Sequence, residues 1–181
     1  MVKHFLRFFK NNETGPFSKS KDKRKKERHR IQRQLYVKPS EFLGLSLQGI
    51  FDVDIGDGLF STRGYDTDDD VVEFVGEKIS LTKQLNRSQQ GRVGYFIKCN
   101  RTTYIDCYQS RHQGICLASC VNSAHTAYPL KHKTTGAAAV CNVRMEVRYN
   151  KSKNLYVAKY VALHSFLPGV EVLGSKCLVQ N

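Results

Sequence analysis

The chain has no tryptophan, two methionines and four prolines. None of its apolar runs approaches the ~18 residues that a membrane-spanning helix needs. Lys3, Arg7 and Lys10 interrupt the first ten residues, so these lack the apolar core of a secretory signal. We therefore expect an intracellular protein with no membrane partner.

The chain also contains no cysteine pair spaced as C-x-x-C. Its six cysteines lie in the second half of a 181-residue chain, which is long enough to fold as about one domain without disulfides. This pattern predicts free and mostly buried thiols. A metal site built from Cys116, Cys120 and His112 or His125 is the weaker alternative, because zinc needs four well-placed donors.

Positive charge is concentrated at one end of the chain. The formal net charge is +13, and residues 1–38 account for +10 of it, with 13 basic and 3 acidic residues. The remaining 143 residues carry only +3. We therefore predict a basic N-terminal extension over residues 1–38 and a separate domain over residues 39–181.

The extension holds two segments with different implications. Met1–Asn12 interleaves apolar and basic residues, which fits a mitochondrial presequence, an interaction helix or a frayed terminus. Lys19–Arg33 is almost purely charged, and the run Lys23–Lys26 suits nuclear import, contact with nucleic-acid phosphates, or simple solubility. A nuclear location is favoured, with the mitochondrion as the alternative.

Beyond Pro39 the composition is rich in β-strand residues, with few helical signals. The clearest strand is Cys141–Tyr149, where apolar and polar residues alternate. A polar turn leads to the more apolar Leu155–Phe166, which predicts an antiparallel hairpin whose second strand is nearer the core. A second hairpin is predicted around Asn100-Arg101, and a helix over Leu81–Gln90. The fold class is α+β and mostly β.

Glycines flank Asp57 between two predicted strands. Such a pattern lets a backbone approach a ligand closely, although for the glycines alone a tight turn is the favoured explanation. Other motifs follow it in a fixed order. The segments are Gly56–Phe60, Glu73–Glu77, Tyr95–Ile97, Tyr104–Asp106, Ser119-Cys120, Val161–Leu163 and Pro168–Glu171.

This ordered set, over roughly residues 47–177, resembles the SET domain of protein-lysine methyltransferases. The resemblance implies small sheets, short helices, a C-terminal pseudoknot, and methyl transfer from S-adenosylmethionine to a lysine of a protein substrate. It places the cofactor beside Gly56, Asp57, Gly58, Leu117, Ala118, Ser119 and Cys120. The tyrosines expected near a lysine channel are Tyr95, Tyr104 and Tyr108, with half-buried sheet positions as their alternative. No metal is implied.

The sequence departs from the SET pattern where that family does its chemistry. Leu117-Ala118 stands where the family has Asn-His, so an amide contact to the cofactor is lost. The terminal Asp-Tyr of the family aligns with Ser175-Lys176, or with Lys176-Cys177 if shifted by one residue, and no tyrosine follows Tyr160. The resemblance therefore leaves two functions open: a weak methyltransferase, or a degenerate SET-fold module that uses Lys19–Arg33 on nucleic acid or a ribonucleoprotein.

Two other groups of residues are weaker candidates. Asp66 and Asp68–Asp70 predict an acidic turn rather than a cation site, and this turn could instead receive a basic peptide or the chain's own extension. Cys120 and His125 could form a nucleophile pair, but no third member is recognisable.

Overall fold

The computed structural model describes residues 34–92, 94–124 and 129–175. Short strands dominate this part of the chain. They are β1 Leu35–Pro39, β2 Phe42–Leu45, β3 Phe51–Asp54, β4 Asp57–Ser61, β5 Asp70–Glu73, β6 Glu77–Ser80, β7 Phe96–Lys98, β8 Thr103–Asp106, β9 Asn122–Ser123, β10 Leu130–His132, β11 Val143–Asn150, β12 Leu155–Ala162 and β13 Glu171–Ser175. The α-helices are α1 Leu81–Gln89 and α2 Tyr108–His112, and 3-10 helices form at Leu117–Cys120 and Lys151–Lys153.

The described strands form three sheets. The largest has the order β1-β4-β13-β11-β12-β5, with β9 also paired to β13. The two smaller sheets have the orders β10-β2-β3 and β6-β8-β7. Small sheets with few helices confirm the predicted fold class.

Both predicted hairpins are present. β11 and β12 pair antiparallel from Val143 opposite Ala162 to Asn150 opposite Leu155. β12 is the more buried of the two strands, since Ala158 and Tyr160–Ala162 are all in the core. β7 and β8 pair antiparallel around the turn at Asn100-Arg101. The predicted helix over Leu81–Gln90 forms as α1 and ends one residue earlier.

The run Val71–Ser80 divides between two sheets. β5 joins β12 in the large sheet, whereas β6 joins β8 in a small one. The chain changes sheet near Gly76, where a Cβ atom would lie 2.7 Å from the carbonyl carbon of Asp106. Only glycine allows this close passage.

Residues before position 39 also belong to the large sheet. β1 pairs with β4 over five residues, from Leu35 opposite Ser61 to Pro39 opposite Asp57. Leu35 is part of the hydrophobic core. The predicted boundary at residue 38 therefore falls inside β1, and Met1–Asn12 and Lys19–Arg33 lie outside the described residues. No helix in the described ranges is both long and apolar enough to cross a membrane.

Candidate functional site

Gly58 and Glu171 meet where β4 and β13 run side by side. A Cβ atom on Gly58 would lie 2.6 Å from the Glu171 Cδ atom, so any larger residue would displace the carboxyl group. Glu171 is 2% exposed. Gly56 has a φ of +79°, a backbone conformation that favours glycine. Glycine is thus favoured at position 56 by the backbone conformation of a turn and at position 58 by the buried side chain of Glu171.

The buried carboxylate of Glu171 is hydrogen-bonded by three neighbours. Ser40 Oγ lies 2.9 Å from each carboxylate oxygen, the backbone N–H of Glu41 donates over 2.9 Å, and Asn122 Nδ2 donates over 2.9 Å. A buried charge is tolerated only when it is paired or hydrogen-bonded in this way. Glu171 therefore ties the β1–β2 connection, β9 and β13 together beside the start of β4.

Asn142 holds the other side of β13. Its side-chain amide donates to Glu171 O over 2.8 Å, and its Oδ1 accepts from Leu173 N over 2.8 Å. β13 is parallel to both β9 and β11 and antiparallel to β4, so the C-terminal strand runs between segments that are distant in sequence. The crossing of β13 between these segments is what a C-terminal pseudoknot requires.

The structure brings the two predicted cofactor segments together. The 3-10 helix Leu117–Cys120 packs against β4, and Asn122, just after it, donates from Nδ2 to Asp57 O over 3.2 Å. Gly56 and Asp57 are exposed, whereas Gly58, Ala118 and Cys120 are buried. Leu117 and Ser119 are partly exposed. An approaching ligand would therefore meet Gly56, Asp57, Leu117 and Ser119.

The three predicted tyrosines are not all in one place. The rings of Tyr95 and Tyr108 pack edge to face at 5.0 Å, and His112 lies 4.3 Å from Tyr108. Arg92 stacks over the Tyr108 ring at 4.8 Å. Tyr104 lies instead on β8, opposite Ile79 and Lys98. Two of the three candidates thus form one aromatic cluster and the third stands apart from it.

Two buried cysteines join that cluster to the 3-10 helix. Cys107 directly precedes Tyr108, and its thiol hydrogen-bonds with Cys116, the residue before the 3-10 helix. This bond lowers the pKa of Cys116 to about 6, and the backbone N–H of Val75, 3.4 Å from Cys116 Sγ, acts in the same direction. The bond and burial raise the pKa of Cys107. The two thiols are therefore coupled, and each shifts the pKa of the other.

Cys120 is bound differently from Cys116. Arg111, at the end of α2, donates a hydrogen bond to its thiol. Burial raises the pKa of Cys120, and the positive charge of Arg111 opposes that effect. Within the described ranges, no three His, Cys, Asp or Glu side chains are placed to hold a metal ion. Cys99, Cys107, Cys116 and Cys120 are free thiols, and Cys177 and His125 lie outside the described residues.

The acidic turn is paired with cations of the β11–β12 hairpin. Asp68 Oδ1 lies 2.5 Å from a terminal guanidinium nitrogen of Arg144, and Asp70 pairs with Lys159. Asp69 accepts a hydrogen bond from the backbone N–H of Asp66 over 3.2 Å. These carboxylates thus stabilise the packing of the turn on the hairpin.

Glu171 belongs to the motif Pro168–Glu171, but its place in the site with Ser40, Asn122 and Asn142 was not predicted from the sequence. A glycine beside the end of a buried strand was the sequence feature that could have indicated a close contact with Glu171. Ser40, Asn122 and Asn142 are polar residues in connections or at strand ends. No local pattern shows that they converge on one carboxylate.

No protein-family model and no curated protein matches the chain. Solved structures do match it. An active polycomb repressive complex 2 in the basal state aligns over 79% of this chain with a TM-score of 0.55 and 17% identity. The Chaetomium thermophilum polycomb repressive complex 2 aligns over 81% with the same score and identity. The fold is SET-like.

A third similar structure is a polycomb repressive complex 2 in an autoinhibited conformation bound to S-adenosylmethionine. It aligns over 77% of this chain with a TM-score of 0.51 and 17% identity. In all three cases the chain spans only 15% to 16% of the matched chain's length. At this identity the likeness establishes the SET-like fold alone.

Proposed function

We propose that the protein is a SET-type, S-adenosylmethionine-dependent protein-lysine N-methyltransferase. The observation that carries this proposal is the buried Glu171 carboxylate, which joins the glycine-flanked start of β4 to β9 and the crossing strand β13. That network sets the exposed Gly56-Asp57 backbone beside the 3-10 helix Leu117–Cys120. A structurally similar protein is bound to S-adenosylmethionine, which supports the choice of cofactor.

The residues present suit the cofactor in part. A Cβ atom on Gly56 would meet no atom within 4 Å, so a ligand has space beside its Cα, whereas its N–H and C=O are already hydrogen-bonded to Asp54 and Ser40. Asp57 adds an exposed carboxylate, which complements the positive charge of a sulfonium. Leu117 supplies only its backbone groups and an apolar side chain, so it would hold the cofactor without the amide contact typical of the family.

The protein's own task in this reaction is to prepare the lysine. The bound cofactor supplies an electrophilic methyl group. A lysine with a pKa of ~10.4 is neutral in roughly one molecule in a few thousand at pH 7, and only the neutral amine can attack. The site must desolvate the amine and align it, which is a positioning task. We assign this task to Tyr95 and Tyr108, with Tyr104 in a more distant role.

We expect the activity to be weak. A single positioned catalytic group commonly contributes ~10²–10⁴ in rate, and the chain has no tyrosine at its aligned terminal motif. Residues 176–181, where that motif would end, lie outside the described residues. The proposed substrate is a lysine of a protein, and Lys23–Lys26 supports a nuclear location.

The first experiment is titration of S-adenosylmethionine into the full chain by calorimetry. We expect saturable heat and an upward shift of the melting temperature. The Asp57→Lys variant places a positive charge beside the proposed sulfonium site. We expect it to bind S-adenosylmethionine at least about tenfold more weakly, because the attraction between opposite charges in close contact favours binding by more than ~1.4 kcal/mol. Asp52→Lys makes the same charge change at an exposed position of β3 and serves as the matched control.

Two results would overturn the proposal. One is the absence of heat and of a thermal shift in the wild-type chain. The other is equal binding by the Asp57→Lys and Asp52→Lys variants, which would place the cofactor elsewhere. Transfer of a radiolabelled methyl group to lysine-containing peptides then tests the reaction itself.

A non-catalytic nucleic-acid-binding module is the second candidate, favoured by Leu117 at the family's asparagine position and by the charge of Lys19–Arg33. It predicts salt-sensitive binding that disappears when the extension is removed. The deletion should end at Arg33, because β1 begins at Leu35. Unchanged binding after that deletion would exclude the extension as the contact.

A further inference from the structure

A basic surface lies at the turn of the β11–β12 hairpin, away from the candidate site. β13 contacts β11 at Val143 and Arg144, and the turn begins at Asn150. Six residues of strand separate them, which is roughly 20 Å. We call this surface the hairpin-end cluster. Its members are Arg101, Arg148, Tyr149, Lys151, Lys153 and Tyr156.

Hydrogen bonds and ring contacts hold the cluster in one arrangement. Asn100, in the β7–β8 turn, donates from Nδ2 to Tyr156 Oη over 2.7 Å, which brings that turn against the hairpin. The rings of Tyr149 and Tyr156 are 5.0 Å apart. Asn150 Oδ1 accepts from Lys153 N over 3.1 Å and fixes the lysine-bearing 3-10 turn. The surface is therefore preformed.

Three of the four cations in the cluster have no carboxylate partner among the described residues. Residues 97–103 and 147–157 contain no aspartate or glutamate. Arg101, Lys151 and Lys153 are exposed, and none of them forms a salt bridge with another described residue. Arg148 pairs with Glu146 but keeps 67% of its side chain exposed.

Several cations elsewhere in the described domain are placed differently. Lys38, Lys83, Arg87, Arg144 and Lys159 each lie against a carboxylate. Their charges stabilise the fold, whereas those of the hairpin-end cluster face solvent. The cluster also presents an aromatic ring, since Tyr149 is 48% exposed.

We propose that the hairpin-end cluster binds single-stranded nucleic acid. The lysines and arginines would contact backbone phosphates, and an unpaired base would stack on Tyr149. A base can reach a side-chain ring in this way only when it is not stacked in a duplex, which favours a single strand. The aromatic ring among the cations distinguishes this partner from an acidic protein, which needs only the charges.

The test uses the full chain and a fluorescein-labelled 20-nucleotide oligouridine, with anisotropy measured over a series of salt concentrations. In the double variant Lys151→Ala/Lys153→Ala, we expect several-fold weaker binding. The slope of log K against log salt should fall by about 1.4, because each phosphate contact on a single strand contributes about 0.7. Lys131→Ala/Lys133→Ala is the matched control, since it removes two exposed lysines with the same spacing from β10 and the residue after it.

Tyrosine variants test the stacking separately. We expect Tyr149→Ala to weaken binding about fivefold or more and Tyr149→Phe to retain it, because phenylalanine keeps the ring. Equal effects of the two double-lysine variants would overturn the proposal by showing a response to net charge alone. The proposal would also be overturned, in favour of an acidic protein partner, if the Tyr149→Ala variant bound the oligouridine as tightly as the wild type and polyglutamate competed fully.

Discussion

Glu171 shows how one residue organises the candidate site. Its carboxylate accepts hydrogen bonds from Ser40, Glu41 and Asn122, which lie in three different segments, and Gly58 leaves it the necessary space. Four donor contacts on a buried carboxylate leave little room for another chemical group. Its carboxylate therefore holds the segments of the site in place.

We predict that Glu171→Gln destabilises the protein by about 2–3 kcal/mol, because hydrogen bonds to a charged group contribute about 1.5–3 kcal/mol and a glutamine NH₂ would face a donor. The measurement is the free energy of unfolding in urea. Asp52→Asn, an equivalent change at an exposed position, should alter it by less than about 0.5 kcal/mol. Equal stability of the Glu171→Gln variant and the wild type would show that the network is not energetically important.

Among the structural elements, α1 has no buried residue and depends on side-chain contacts at its surface. Arg87 lies 2.5 Å from Asp106 Oδ2 and 2.8 Å from Glu77 Oε2, and the Asp106 side chain is 3% exposed. The hydrogen bonds to Glu77 and Asp106 raise the pKa of Arg87, and the hydrogen bonds from Lys83 and Arg87 lower the pKa of Glu77. The helix is thus attached to β6 and β8 chiefly through one arginine.

We predict that Arg87→Ala destabilises the protein by about 2–3 kcal/mol, since it leaves the buried Asp106 carboxylate without its partner. Lys83→Ala removes the other, exposed partner of Glu77 and should cost less than about 1 kcal/mol. Thermal and urea unfolding of both variants measure the difference. Similar losses for the two variants would mean that α1 does not depend on the buried pair.

Elements with local patterns were predictable from sequence, and those with long-range pairing were not. Alternation in Cys141–Tyr149 was enough to predict the β11–β12 hairpin. By contrast, β13 is five residues long and pairs with β4, β9 and β11. Its position depends on Asn142 and Glu171, whose partners are far apart in sequence. The crossing of β13 was predicted from the SET resemblance, because local sequence patterns could not indicate it.

The candidate site was predictable to a similar extent. Gly56–Gly58 and Leu117–Cys120 were expected together and do lie together. The three tyrosines were expected together from motif order alone. Tyr104 lies apart because it is paired with β6 and β7 rather than placed beside α2. The hairpin-end cluster could not be predicted from the sequence, because it is formed by two turns about 50 residues apart.

At the scale of the whole molecule, the boundary of the domain determines what can be removed without unfolding it. β1 contributes Leu35 to the core and stacks Tyr36 on Phe60 with ring centroids 5.7 Å apart. It also covers one edge of β4, the strand that carries Gly58. A chain that begins at residue 39 would lose these contacts, whereas one that begins at residue 34 would keep them.

We predict that the chain beginning at residue 39 is less stable than the chain beginning at residue 34 by more than about 3 kcal/mol. Loss of a buried leucine alone typically costs ~2–5 kcal/mol, and the lost β1–β4 hydrogen bonds add to it. Urea unfolding of the two chains under identical conditions measures the difference. Because both chains lack residues 1–33, the comparison isolates β1, and equal midpoints and slopes would show that the domain begins after residue 38.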